Sequence, residues 1–161
     1  MRRMVLAAAM IGLLAGCGQG GSGDSAAPTP PAAAVRELTD AERTIALAAL
    51  PAPYSQADLD NGRRVFARCR SCHTITHGGP NMTGPNLHGV FGRTAGTHPG
   101  FNYSKPIREA AFAWDAARVD HWLQNPRTFL PGNKMTFPEL PDATDRRDVI
   151  AFLQVETGAP E

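Results

Sequence analysis

The sequence predicts an all-α domain in which a first and a last helix cross and long loops make up much of the rest. Three observations carry that reading. Helix-opening caps recur along the chain, and no convincing strand run appears. Gly 16 and Pro 14 together supply nearly a fifth of the 161 residues, against roughly 12 per cent in an average chain, so loops are extensive. The apolar supply is thin: from Tyr54 onward only 23 of 108 residues are Val, Ile, Leu, Met or Phe. Such a domain is either marginal or completes its core with something other than protein. Sixteen basic and fifteen acidic residues exclude the basic stripe of a nucleic-acid binder and an acidic disordered tail. Three cysteines are too few for a disulfide scaffold.

Residues 1–16 read as an export signal, with Arg2 and Arg3 ahead of the apolar stretch Val5 to Gly16. That stretch is shorter than the about 20 apolar residues a membrane span needs. It ends in Leu14-Ala15-Gly16-Cys17, which resembles the bacterial lipobox and implies cleavage before Cys17 and acylation of it. Two or more acyl chains would hold the chain stably on a membrane. Residues 17–38 then form a flexible linker, rich in Gly, Ser, Ala and Pro, with a reach of roughly 25 Å. In the segment 39–54, Thr39-Asp40-Ala41-Glu42 has the pattern of a capping box opening a short helix to about Leu50. Pro51 and Pro53 stop it, and it reads as a spacer packed loosely on the domain.

The domain proper is expected over 55–161. Ser55-Gln56-Ala57-Asp58 is expected to cap a helix running to about Arg70, with Leu59, Val65, Phe66 and Cys69 on one face. Gly62 costs about 1 kcal/mol inside a helix, which close approach of another helix would justify. The expected partner is the last helix, about Thr144 to Glu156, with Val149, Ile150, Phe152 and Leu153 inward and Gly158 as its stop. Ser104 to Ala111 reads as a short helix, and Asp115 opens another that Asn125-Pro126 ends.

Cys69-Arg70-Ser71-Cys72-His73 is a C-x-x-C-H motif. A thioredoxin-like dithiol would need a βαβ context, and none appears. A zinc site would need four ligands, and there is no second cysteine pair. Covalent c-type haem attachment remains. Residues i and i+3 share a helix face, so both sulfurs reach one edge of a flat macrocycle and the adjacent imidazole can reach its iron. A second axial ligand would come from Met82, Met135, His77, His88, His98 or His121. Met82 is only nine residues from His73 and on the same side. Met135 sits in a Pro-Gly turn that can bring a thioether inward, and His121 is its main rival.

On these residues the chain resembles the class I cytochromes c, mitochondrial type and bacterial relatives, over about residues 55–157. Gly84-Pro85-Asn86-Leu87-His88-Gly89-Val90-Phe91-Gly92-Arg93, then Pro99-Gly100-Phe101-Asn102-Tyr103 with Trp114, then Asn125-Pro126 through Phe137 fall into the family's register. The resemblance implies an all-α fold with crossed terminal helices and loops wrapping one haem, held covalently through Cys69 and Cys72. It implies His73 and Met135 as the metal ligands and a Pro85 carbonyl that orients His73. Tyr103, Trp114 and Arg93 would serve a haem propionate. Trp122 stands in place of a family tyrosine, Asn133 of a threonine, Asn81 of a histidine and Ile107 of an asparagine.

The implied function is an electron carrier, not an enzyme, at the outer, periplasmic face of a bacterial cytoplasmic membrane. Its partners would be quinol-cytochrome c reductase and a terminal oxidase, with no small-molecule substrate and no nucleic acid. A peroxidase or gas binder with a labile Met135, or a fixed subunit of an oxidase complex, are the alternatives.

Overall fold

The computed structural model describes residues 37–158. The expected signal segment, the Cys17 acylation site and nearly all of the linker lie outside the described residues. Six helices follow in order: α1 (Asp40–Ala48), α2 (Leu59–Phe66), α3 (Lys105–Arg108), α4 (Ala116–Gln124), α5 (Pro126–Phe129) and α6 (Ala143–Thr157). A single 3-10 turn, Tyr54–Gln56, precedes α2. Among the described residues there is no strand, only an isolated antiparallel bridge between Thr94 and Ala113.

Helix α1 opens as a capping box. The Glu42 amide donates to Thr39 Oγ1 at 3.3 Å, and the Thr39 amide donates to the Glu42 carboxylate at 2.8 Å. The helix buries no residue and leaves Ile45 exposed. One contact ties it to α6: Arg43 Nε lies 2.6 Å from Glu156 Oε1 with both side chains largely shielded.

Of the expected capping segment, the last residue does the work. Ser55 falls in the 3-10 turn, and Asp58 caps the helix, its Oδ1 accepting from the amides of Asn61 and Asp60, each at 2.9 Å. Those backbone hydrogen bonds hold the Asp58 carboxyl below its usual range. A side-chain oxygen two or three residues ahead of free amides satisfies this geometry, and Ser55 is too far upstream to do so. The helix ends at Phe66 rather than Arg70, and tighter turns carry the chain through Cys69 to His73.

Helices α2 and α6 cross at Gly62. A Cβ there would lie 2.2 Å from the Asp148 carbonyl oxygen and 2.7 Å from Phe152 Cβ. Beside the crossing, Phe66 and Phe152 meet with ring centroids 5.6 Å apart. Val119, Leu123, Leu140, Val149 and Ile150 complete one core cluster. Buried Asp148 accepts from the Asp58 amide at 3.1 Å and from Asn61 Nδ2 at 3.0 Å, which locks the two helices in register.

The remaining elements set the loops. Asp115 caps α4, accepting from the Arg118 amide at 2.7 Å. Asn125-Pro126 ends α4 as expected but also starts α5: Asn125 accepts from the Thr128 amide at 2.9 Å, with Pro126 in the first turn. Helix α3 stops at Arg108, short of Ala111, which has a positive φ of 43°. Helix α6 begins one residue early and ends one late, at Thr157, with Gly158, whose φ is 65°, as its stop.

Candidate functional site

The turn after α2 brings the motif together. The Cys72 and His73 amides both donate to the Cys69 carbonyl at 3.0 Å, and all three side chains reach the wall of one cavity of about 380 Å³. The Pro85 carbonyl lies 2.7 Å from His73 Nδ1. A carbonyl only accepts, so Nδ1 carries the proton and Nε2 keeps a lone pair. Burial lowers the His73 pKa, against the opposing pull of the Pro85 hydrogen bond, and the ring is a neutral imidazole. Gly84 makes the close packing possible: a Cβ there would stand 2.3 Å from His73 Cε1. Burial also pushes the Cys69 thiol up to about 11, so an unreacted Cys69 is a neutral thiol at neutral pH.

Asn86 organises the loop below. It is buried, donates to the carbonyls of Thr76 and Gly79 at 2.8 and 2.9 Å, and accepts from the His88 amide. Asn81 accepts from the Asn86 amide at 2.9 Å and donates to the Pro99 carbonyl at 3.0 Å, joining this loop to the next.

At another end of the cavity stand Arg93, Tyr103, Ser104 and Trp114. The half-buried Arg93 guanidinium donates to the carbonyls of His88 and Asn86 at 2.9 and 3.0 Å and meets His98 Nδ1 at 3.0 Å. Burial raises the Tyr103 hydroxyl pKa, and Arg93 opposes the rise. Ser104 Oγ is buried and has no hydrogen-bond partner, which marks a place for a polar group of an occupant. Trp114 packs edge-on against Phe112 and Trp122 at 4.9 and 5.5 Å.

Met135 is positioned by its own loop. Asn133 Nδ2 donates to the carbonyls of Pro126 and Leu130 at 2.8 and 2.9 Å, while its Oδ1 accepts from the Met135 amide at 2.8 Å. The Trp122 indole N–H donates to Met135 Sδ at 3.1 Å. The replacement of a hydroxyl by an indole therefore keeps a donor on the sulfur. Phe137 carries the Arg68 guanidinium over its ring at 5.3 Å.

Of the six methionines and histidines weighed as a second ligand, Met135 alone lines this cavity. His121 and His77 are exposed, and Met82 is 46% exposed. The structure thus brings together Cys69, Cys72, His73, Pro85, Arg93, Tyr103, Trp114 and Met135 on one wall system. Sequence reasoning missed Ser104, whose one signal is its place beside Tyr103, and the organising part of Asn86. It noted Asn133 only as a replacement.

The donor set fits a haem. Two thiols, a neutral imidazole and a thioether line an apolar cavity that also holds a basic side chain, a tyrosine and an unpartnered hydroxyl, as an iron macrocycle with an acidic edge requires. These features define a small haem protein of the c type. The cytochrome c family model matches residues 59–155, and the chain belongs to that family. It is 39% identical to cytochrome c of Kluyveromyces lactis over 105 residues, 65% of this chain and 96% of that protein. It is 44% identical to cytochrome c of Chlamydomonas reinhardtii over 101 residues, 62% and 90% of the two chains. To cytochrome c2 of Rhodomicrobium vannielii it is 40% identical over 105 residues, 65% and 84%. The solved structure of cytochrome cH from Methylobacterium extorquens aligns with a TM-score of 0.57 at 35% identity, covering 61% of this chain and 98% of that one. The chain is a single-haem electron carrier, not an enzyme, and its haem c is attached covalently through cysteine, with Cys69 and Cys72 present for it.

Proposed function

We propose that this protein carries single electrons from a quinol-cytochrome c reductase to a terminal oxidase at the periplasmic face of a bacterial cytoplasmic membrane. In this reading His73 and Met135 would hold the haem iron, and Pro85 fixes the His73 ring. Arg93, Tyr103 and Trp114 hold the acidic edge of the haem. The observation that carries the site assignment is the presence of Met135, and no other candidate ligand, on the cavity wall that His73 enters.

The haem supplies a one-electron iron centre whose potential methionine ligation raises. The chain's own residues supply the geometry. Pro85 holds His73 in one tautomer, as outer partners of metal-bound histidines do. Asn133 fixes the backbone of Met135 and Trp122 fixes its sulfur. With both ligands held, no position opens for a substrate. The Trp122 and Asn133 contacts therefore weigh against a peroxidase or gas binder that would need Met135 to leave.

The anchor is residues 17–38, with acylated Cys17 at its end and the signal 1–16 removed. The α1 segment, within 39–54, then joins the linker to the domain at 55–161. From Tyr54 onward 12 basic residues, only two of them lysines, Lys105 and Lys134, stand against 11 acidic ones, so long-range steering of partners is weak. A tether raises the effective concentration of the carrier at its partners and compensates.

A redox titration with visible spectroscopy of wild type and Met135→Ala tests the site. The variant should lose the weak far-red band of methionine-ligated ferric haem and drop in potential; an unchanged spectrum and potential would refute the assignment. Cys17→Ser should release the protein from membranes. Turnover with an oxidase should depend only shallowly on ionic strength, and a steep dependence counts against the tether argument.

A further inference from the structure

His77 and His88 take no part in the haem cavity, yet the fold sets their rings edge-on with centroids 5.1 Å apart. One buried side chain brings the two together. Asn86 Nδ2 donates to the carbonyls of Thr76 and Gly79, on either side of His77, at 2.8 and 2.9 Å. Its Oδ1 accepts from the His88 amide at 2.6 Å. The His88 carbonyl in turn accepts from Arg93 Nη1 at 2.9 Å. The backbone at both histidines is thus fixed by the fold itself, so little conformational freedom remains to be lost on binding. His77 is exposed and His88 half-buried, which leaves the pair open to solvent.

We propose that His77 and His88 form a binding site for a divalent transition-metal ion of the zinc, nickel or copper class. Imidazole suits these ions, whereas magnesium and calcium take oxygen ligands. A neutral imidazole has one N–H and one nitrogen lone pair, and each ring gives that lone pair to the ion. Zinc binds histidine nitrogen at about 2.0–2.1 Å in a tetrahedral shell. Two rings on one such ion have centroids about 5 Å apart, the spacing the fold provides. An edge-on pair is also an ordinary ring contact; chelation requires both lone pairs to face one point, which a rotation of the exposed His77 ring about its side-chain bonds can supply. Among the described residues no third His, Cys, Asp or Glu joins the pair, so water fills the remaining positions. The ion would act as a clasp. Between the two histidines lie Gly84, packed against the His73 ring, and Pro85, whose carbonyl accepts from His73 Nδ1. An ion held at both ends closes that loop, and binding to the folded protein alone stabilises it.

The test is an NMR titration of the untagged ferrous holoprotein with zinc chloride at about pH 7.5, above the ordinary histidine pKa of about 6.5. The imidazole resonances of His77 and His88 should shift together and saturate at one zinc per chain, while those of His98 and His121 stay in place. Magnesium chloride should move none of them. His77→Ala, at an exposed position, and His88→Ala should each weaken zinc binding by about tenfold or more, because one histidine cannot chelate. The melting temperature of the wild type should rise with zinc, and that of His77→Ala should not. Zinc should also slow amide hydrogen exchange across residues 77–88. Independent shifts of the two rings, saturation at other residues, or an unchanged zinc affinity in His77→Ala overturns the site. Where His88→Ala unsettles the loop, His77→Ala decides alone. Zinc binding that leaves the exchange of the loop unchanged overturns the clasp.

Discussion

Gly62→Ala is the sharpest perturbation of the fold. The added Cβ would stand 2.2 Å from the Asp148 carbonyl oxygen and 2.8 Å from its carbonyl carbon. Both are α6 backbone atoms that no side-chain rotation can move. Ordinary contact needs roughly 1 Å more, so α2 and α6 must part by about that distance. Overpacking of this kind costs about 1–3 kcal/mol. Parting the helices also stretches the hydrogen bonds from the Asp58 amide and Asn61 to buried Asp148, each worth about 1 kcal/mol or more. Alanine recovers about 1 kcal/mol of helix propensity. The net loss is about 3 kcal/mol, or roughly 12 °C in the melting temperature of a domain this size. Guanidinium and thermal unfolding of the holoprotein, followed by far-ultraviolet circular dichroism, measure it. A variant within about 0.5 kcal/mol of wild type, the range of an ordinary surface change, would refute the account of the crossing.

Four other perturbations have defined outcomes. Gly84→Ala forces a Cβ to 2.3 Å from His73 Cε1; the ring should leave the Pro85 carbonyl, and the low-spin visible spectrum should weaken. Trp122→Phe removes the donor to Met135 Sδ; the sulfur becomes a better electron donor, and the potential should fall by roughly 40 mV, the equivalent of about 1 kcal/mol, in a redox titration. Arg146→Ala deletes hydrogen bonds to Asp120 and to the carbonyls of Leu140 and Pro141, all at 2.8 Å; Asp120 stays partly solvated, so denaturant unfolding should show a loss of about 2–3 kcal/mol, chiefly from the orphaned carbonyls. Replacing both Cys69 and Cys72 by serine prevents covalent attachment; without haem, residues 55–157 should be largely unfolded by circular dichroism.

The crossing helices were legible because Gly62 is costly in a helix interior unless another backbone approaches it, and α6 offers a dense apolar segment in which Val149, Ile150, Phe152 and Leu153 are all buried. The haem motif was legible because its chemistry is local: five consecutive residues determine which side chains share a wall. The choice of Met135 over His121 was open in the residues alone, since both lie in the second half of the chain. In the fold the turn of α4 aims the Trp122 indole at Met135 and leaves His121 exposed. Which residue of Ser55 to Asp58 caps α2 was open for a related reason. Ser55 and Asp58 are both good caps, and the choice depends on Asp148, which is 90 residues away and accepts the Asp58 amide. The α1 contact was illegible because Arg43 and Glu156 are 113 residues apart, and nothing local marks a surface charge as paired.

Most of the cavity wall lies outside regular structure, and the loops that form it have many backbone groups with no ladder to join. Such groups must be paired when buried. In this chain side-chain amides and the guanidiniums of Arg93 and Arg146 pair many of them. Asn86 serves three backbone groups, Asn133 serves three, Asn81 bridges two loops, and Arg146 holds the carbonyls that follow the Met135 loop. Two of the positions that the family resemblance marks as replacements, Asn81 and Asn133, are thus not idle. An amide supplies both a donor and an acceptor in fixed geometry, so each asparagine joins two backbone segments. A loop fixed in this way can hold a ligand in one geometry through both oxidation states, which is what one-electron transfer requires of the protein.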